Sequence, residues 1–191
     1  MFMKHCIAVI GSANNRFSSD EVRKARQVGR EIAKAGCILV NGACPGLPEE
    51  AAKAAKQAGG IVIGFSPVSS VTEHYRKGYP HRNHDFISTT GFGFKGRNLL
   101  LVRASDAVIA LHGGMGTLNE LTIAFDENKV IGLLTGLGGV TELFPAVARR
   151  ADRPTKALVL HDSSPAKLVQ KVVKAVKHRH ASGEDSGRKP H

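Results

Sequence analysis

The sequence predicts an α/β fold: a Rossmann-like, doubly wound, mainly parallel sheet with helices on both faces. Three observations lead there. Short apolar runs alternate along the chain with amphipathic segments of helix length. Those runs are apolar at successive positions rather than at every second one, the pattern of strands covered on both faces, as in parallel sheets. Glycine-bearing turns also fall where apolar runs end, at Gly11-Ser12, at Gly42-Ala43-Cys44-Pro45-Gly46 and at Gly113 to Gly116. In open parallel sheets, ligands bind beyond the C-terminal ends of the strands.

Taken in order, Cys6-Ile7-Ala8-Val9-Ile10 is the first strand, closed by Gly11-Ser12. Ser18 to Ala35 reads as a helix with Val22, Ala25, Val28 and Ile32 on one face. Ser18 and Glu21 form a capping box at its start, and Gly36 ends it. Ile38-Leu39-Val40 is the second strand, Pro48 to Ala58 the second helix, and Ile61 to Phe65 the third strand. The polar stretch Ser66 to Asp85 lacks periodicity and reads as a lid or partner-facing loop. Phe86-Ile87 is a short strand, Phe94 to Arg103 a helix, Val108 to Leu111 a strand, and Thr117 to Asn128 a helix. Val130 to Leu134 is a further strand. Helices Val140 to Ala151 and Pro165 to His178 flank the strand Ala157 to Leu160.

A chain of 191 residues suits one domain, expected over residues 1–180, with 181–191 a disordered polar tail. No apolar run approaches the roughly 20 residues that cross a bilayer, and the N-terminus lacks the pattern of a signal peptide. Three scattered cysteines, Cys6, Cys37 and Cys44, fit reduced thiols in a cytoplasm. The net charge of +11 favours anionic partners or is simply a solvated basic surface. It is spread along the chain, and aromatics make up only 5%, which argues against a dedicated nucleic-acid binder.

The turn Leu111-His112-Gly113-Gly114-Met115-Gly116-Thr117 is the most informative segment. It joins a buried strand to a helix, and its glycines let backbone approach a ligand. Amides at the helix start can then hold an anion, above all a phosphate. Thr117 would cap the helix and offer its hydroxyl. Glu120 has two readings. It completes a Thr117-x-x-Glu120 capping box, or it turns toward the crevice to hold a ribose hydroxyl or steady positive charge at C1′. Arg97 is either a surface arginine on an amphipathic helix or a phosphate or base contact. Arg103 is expected to pair with Asp106, Cys44 to be a small buried residue, and His81 and His84 to be solvated loop histidines, with no metal pattern around them. The first turn lacks the dinucleotide fingerprint, so a standard NAD site is not expected.

Gly113 to Glu120 resembles the P-G-G-x-G-T-x-x-E motif of the LOG (Lonely Guy) family, many of whose members are nucleoside 5′-monophosphate phosphoribohydrolases. Val9-Ile10-Gly11-Ser12 is similar to that family's first turn, and Val40-Asn41-Gly42 through Gly46-Leu47 to its second glycine motif. Arg97 falls where the family's catalytic arginine lies. The resemblance therefore implies Arg97 and Glu120 as catalytic residues, with Gly11, Ser12, Gly42, Gly46, Gly113, Gly114, Gly116 and Thr117 binding phosphate or nucleotide. It also implies a homodimer or larger homo-oligomer, with the Leu-rich segment Asn98 to Val102 as contact surface. Hydrolysis would require no cofactor. Three positions depart from the pattern: His112 replaces its proline, Asn98 the usual lysine after Arg97, and Asn119 a residue that is commonly acidic. These departures resemble a bacterial branch similar to molybdenum-cofactor carrier proteins, which bind a phosphorylated pterin without hydrolysing it. The expected ligand is thus a nucleoside monophosphate or another phosphorylated small molecule.

Overall fold

In a computed structural model that describes residues 3–13 and 16–183, seven strands form one sheet in the order β4-β3-β2-β1-β5-β6-β7. They are β1 (Cys6–Gly11), β2 (Ile38–Asn41), β3 (Ile61–Ser66), β4 (Phe86–Thr89), β5 (Ala107–Leu111), β6 (Val130–Leu134) and β7 (Leu158–Asp162). Every pairing is parallel, with β1 holding Ile7 opposite Ala107 on β5 and Cys6 opposite Ile38 on β2. The helices are α1 (Ser19–Lys34), α2 (Leu47–Gln57), α3 (Val71–Arg76), α4 (Gly93–Arg103), α5 (Met115–Asp126), α6 (Val140–Arg150) and α7 (Pro165–Ala181).

Alternation within the strands builds two cores. Ile7, Val9, Leu39, Ile109 and Leu111 pack against α1, α2 and α7 on one face. Ala8, Ile10, Val40, Val108, Ala110, Ile131 and Leu133 pack against α4, α5 and α6 on the other. Both faces are covered, so the strands need apolar residues at every position. Ala51, Ala52 and Ala55 give α2 a small-residue face, and α1 answers with Gly29, where a Cβ would overlap the Ala51 carbonyl. The α1 start carries the expected capping box: the Ser18 hydroxyl accepts from the Glu21 amide, and Glu21 Oε2 accepts from the Ser18 amide at 2.8 Å.

Several expectations are corrected. Residues 66–85 are not a plain loop, because they contain α3. Arg103 pairs with Glu127 at 2.8 Å rather than with Asp106. The last helix runs on to Ala181, so residues 181–183 belong to its end; residues 184–191 of the expected tail lie outside the described residues. Among the described residues, no helix is long and apolar enough to cross a membrane.

The chain runs β1 to β4 outward on one side, then returns to lay β5 on the other side of β1. The turns after β1 and β5 therefore part above the sheet, and the crevice between them is a topological switch point.

Candidate functional site

Three turns meet at that switch point. Gly11 ends β1 against the β5 backbone, where a Cβ would overlap the Leu111 carbonyl oxygen. The second turn folds onto the first: the Leu47 amide donates to the Ser12 carbonyl at 3.1 Å, and Gly46, at φ +117°, lies too close to that carbonyl for any side chain. Asn41 shapes this second turn from below. Its Oδ1 accepts from the Ala43 amide at 2.9 Å and bonds His84 Nε2 at 2.8 Å, while its Nδ2 donates to the Pro48 carbonyl at 3.3 Å. In the third turn, Gly113 sits at φ +107° with Thr117 against its Cα.

α5 begins at Met115, with Gly114 as its N-cap. This overturns the capping-box reading of Thr117 and Glu120. Thr117 is the third residue of the helix, buried behind Gly113, and Glu120 lies in the second turn with its carboxyl inside the cleft. The helix start has no side-chain cap and no acid in its first turn. Among the described residues its leading amides therefore meet no side-chain partner, and no acid in the first turn offsets the positive end of the helix dipole. His112 also explains a departure from the motif. It adopts φ +57°, a conformation closed to proline, and its Nδ1 accepts from the Gly113 amide at 2.6 Å.

The cleft has a volume of about 410 Å³. Of the residues singled out in the sequence, Gly11, Ser12, Gly42, Arg97, Gly114, Gly116, Thr117 and Glu120 line it; Gly46 and Gly113 stand behind it and set the turns. Phe94, Lys95 and Asn98 come from α4, and Cys44 from the second turn. Cys44 is thus a wall of the cleft rather than plain core, and burial pushes its thiol up despite the nearby Arg97.

Arg97 is not a surface arginine. It is 6% exposed, its Nη1 donates to the Phe65 carbonyl at 3.2 Å, and its Nε is buried with no hydrogen-bond partner among the described residues. The guanidinium lies against Gly42, where a Cβ would overlap Nη1, so glycine is needed there to admit it. A buried cation with an unanswered N–H is costly unless something anionic or polar meets it. Glu120 lines the same cleft and is only 7% exposed. Burial raises its carboxyl to about 7, with Arg97 and Lys95 pulling the other way. The cleft therefore holds two cations and an acid only partly ionised at neutral pH, a field that favours anions.

The contact between Asn41 and His84 was not legible from the spacing of the two residues. His84 is no solvated histidine: its side chain has no exposed surface, and burial pushes it down to about 4. The two residues lie 43 positions apart and meet only through the fold.

A parallel sheet with glycine turns and uncapped helix starts at its switch point defines a Rossmann-like protein of the nucleotide- or cofactor-binding class. The chain belongs to the SLOG cluster4 family, whose model matches residues 4–169. A relative from Archaeoglobus fulgidus, itself uncharacterized, is 35% identical over 128 residues, covering 67% of this chain and 78% of the relative. Among solved structures, the molybdenum cofactor binding protein of the phototrophic bacterium Rippkaea orientalis is 28% identical, with a TM-score of 0.74 over 93% of this chain and 99% of that one. The molybdenum cofactor carrier protein of Chlamydomonas reinhardtii is also 28% identical, with a TM-score of 0.73 over 92% and 99%. The narrower resemblance to LOG proteins is carried by the motifs alone.

Proposed function

We propose that the chain is a cytoplasmic binding protein for a phosphorylated, nucleotide-like small molecule, and that its cargo is of the molybdenum-cofactor type, a pterin bearing a phosphate. The observation that carries this reading is the convergence of the uncapped α5 start with the buried, unpartnered Arg97 Nε in one cleft. The phosphate would rest on the amides at the helix start, where a dipole and free N–H groups suit an anion. Arg97 and the Glu120 carboxyl would face the ring. A carboxyl of pKa about 7 both donates and accepts near neutral pH, which suits the mixed donor and acceptor edge of a pterin. The volume of about 410 Å³ lies within the roughly 300–1,000 Å³ usual for small-molecule sites. The two structures similar to this chain that are named for binding or carrying the molybdenum cofactor support the same choice.

A second reading, hydrolysis of a nucleoside 5′-monophosphate to base and ribose 5-phosphate, is favoured by Arg97 and Glu120 facing one cleft. Glu120 in its ionised form would steady charge at C1′ as the N-glycosidic bond breaks. Two assays separate the readings. The protein is incubated anaerobically with molybdenum cofactor released from a molybdoenzyme, desalted, and assayed for retained pterin by fluorescence after oxidation. It is also incubated with AMP, and free adenine is measured. Near-stoichiometric pterin with no adenine above background is expected. Adenine release abolished by Glu120→Ala, without pterin retention, would replace the carrier with the hydrolase. Neither outcome would remove both. The exposed leucines of α4, Leu99 (37%) and Leu100 (36%), would form a homodimer contact, which a monomeric gel-filtration mass would contradict.

A further inference from the structure

At the opposite end of the sheet from the cleft, roughly 20 Å away along β1, three metal-competent side chains converge. His5 immediately precedes β1, Asp106 immediately precedes β5, and His180 lies in the last turn of α7. One ligand atom from each lies within 4.8 Å of the others. Asp106 Oδ1 is 3.4 Å from His180 Nε2, Asp106 Oδ2 is 3.8 Å from His5 Nδ1, and the two imidazole rings meet edge to face with centroids 4.7 Å apart.

We propose that His5, Asp106 and His180 form a binding site for a divalent first-row transition-metal ion. Two imidazoles and one carboxylate are the donor set such ions take, and zinc with three protein ligands keeps further positions for water. The separations are close to those a shared ion needs. Donors about 2.0–2.2 Å from a tetrahedral ion lie roughly 3.4 Å apart; Asp106 Oδ1 is 3.4 Å from His180 Nε2, Asp106 Oδ2 is 3.8 Å from His5 Nδ1, and the three ligand atoms lie within 4.8 Å of one another, so a small side-chain adjustment would complete the set. At those distances the three groups satisfy one another poorly. The His5–Asp106 approach is beyond hydrogen-bond length, and the His180–Asp106 approach is at its limit.

The backbones of two ligand residues, and the side chain of one, are held before any ion arrives. The His5 carbonyl accepts from the Ile38 amide at 2.8 Å, the Asp106 amide donates to the Cys6 carbonyl at 2.8 Å, and Asp106 Oδ2 accepts from the Cys6 amide at 2.7 Å. That last bond orients the carboxylate from behind, as outer-shell partners of metal ligands do. The third ligand is free to adjust, because the His180 side chain is 42% exposed. Bound metal would tie the C-terminal turn of α7 to the starts of the two central strands.

The test titrates the full chain with zinc chloride near neutral pH by calorimetry, and follows cobalt(II) by its visible d–d absorption. One site per chain is expected, with intense cobalt bands typical of four- or five-coordination and a rise in melting temperature on adding zinc. Asp106→Asn keeps an acceptor for the Cys6 amide, and His180→Ala removes an exposed ring, so both variants should fold. Each should weaken zinc binding by at least about tenfold and remove the thermal shift, whereas His178→Ala, two residues away on the same helix, should do neither. Zinc binding that survives Asp106→Asn and His180→Ala, or no saturable binding by the wild-type chain, overturns the site.

Discussion

Replacing Glu120 by glutamine should stabilise the protein in mild alkali and leave it little changed in mild acid. Burial raises this carboxyl from 4.5 to about 7 in the folded chain. Below 4.5 the acid keeps its proton whether folded or unfolded, and its burial carries no ionisation cost. As pH rises from 4.5, the unfolded chain releases its proton first and gains free energy that the folded chain cannot match. The penalty grows until about pH 7 and is constant above it. Each tenfold in proton affinity is worth about 1.4 kcal/mol, so the interval from 4.5 to about 7 amounts to about 3 kcal/mol. Glutamine is neutral at every pH and close to the protonated acid in shape. His84 runs the other way: its imidazole falls from 6.5 to about 4 on burial, so the stability it contributes is present above 6.5 and is lost as pH drops toward 4. The two slopes oppose each other in the wild type, and only the difference between variant and wild type isolates Glu120. Urea unfolding of both proteins at pH 5 and pH 8 reads that difference from the midpoints at a common m-value. The expected gain for Glu120→Gln is about 3 kcal/mol at pH 8 and under about 1 kcal/mol at pH 5. Equal differences at the two pH values, or a less stable variant at pH 8, would refute the buried, proton-holding carboxyl.

Two further substitutions test close approaches. Gly29→Ala improves helix propensity by about 1 kcal/mol but drives a methyl into the Ala51 carbonyl, a backbone atom that cannot swing aside. Overpacking of about 1–3 kcal/mol should prevail, lowering the melting temperature, and a rise would show that α1 and α2 separate freely. Gly42→Ala displaces the Arg97 guanidinium. It should leave the far-ultraviolet circular dichroism intact and weaken binding of the phosphorylated ligand by about tenfold or more, the worth of one charge-assisted hydrogen bond. Unchanged affinity in calorimetry would remove Arg97 from the binding set.

The sheet was legible because parallel strands buried on both faces must be apolar throughout, and Cys6–Ile10, Ala107–Leu111 and Val130–Leu134 have that character. α3 was not legible by periodicity. It has six residues, its apolar members Val71 and Tyr75 are exposed, and its one buried side chain is the polar His74, held by Ser66 and the Pro80 carbonyl. Its signal lay elsewhere, in Ser70 capping the Glu73 amide. The start of α5 was misread for a related reason. Thr117 and Glu120 have capping-box spacing, but Gly114 turns the chain into the helix first and carries both side chains one turn deeper. The same shift moved Glu120 from a surface cap to a buried acid. The burial of Arg97 was hidden because the leucines after it suggest an apolar stripe, yet Leu99 and Leu100 face outward while Arg97 and Asn98 face in.

The choice between carrier and hydrolase turns on fewer residues than the sequence suggested. Asn98 and Asn119 depart from the LOG pattern at two positions, but in the fold they are one contact: Asn98 Nδ2 donates to Asn119 Oδ1 at 2.9 Å, joining α4 to α5. Asn98 is 3% exposed. A basic residue there facing an acid would be a buried ion pair, and changing either end alone would strand a charge away from water, at roughly 3–5 kcal/mol. Changing both to asparagine keeps the helix contact and leaves the net charge of the pair untouched. The paired replacement therefore fits preserved packing and does not by itself count against hydrolysis. His112 carries no weight either, since its φ of +57° is a local solution to the same turn. What remains is Glu120. An N-glycosidase that follows the LOG pattern needs this carboxylate ionised as charge develops at C1′, and a phosphate bound at the start of α5 would raise its proton affinity further still. If Glu120 titrates near 7 in the free protein and higher with ligand bound, the cleft is better suited to hold a phosphorylated ring than to break its glycosidic bond.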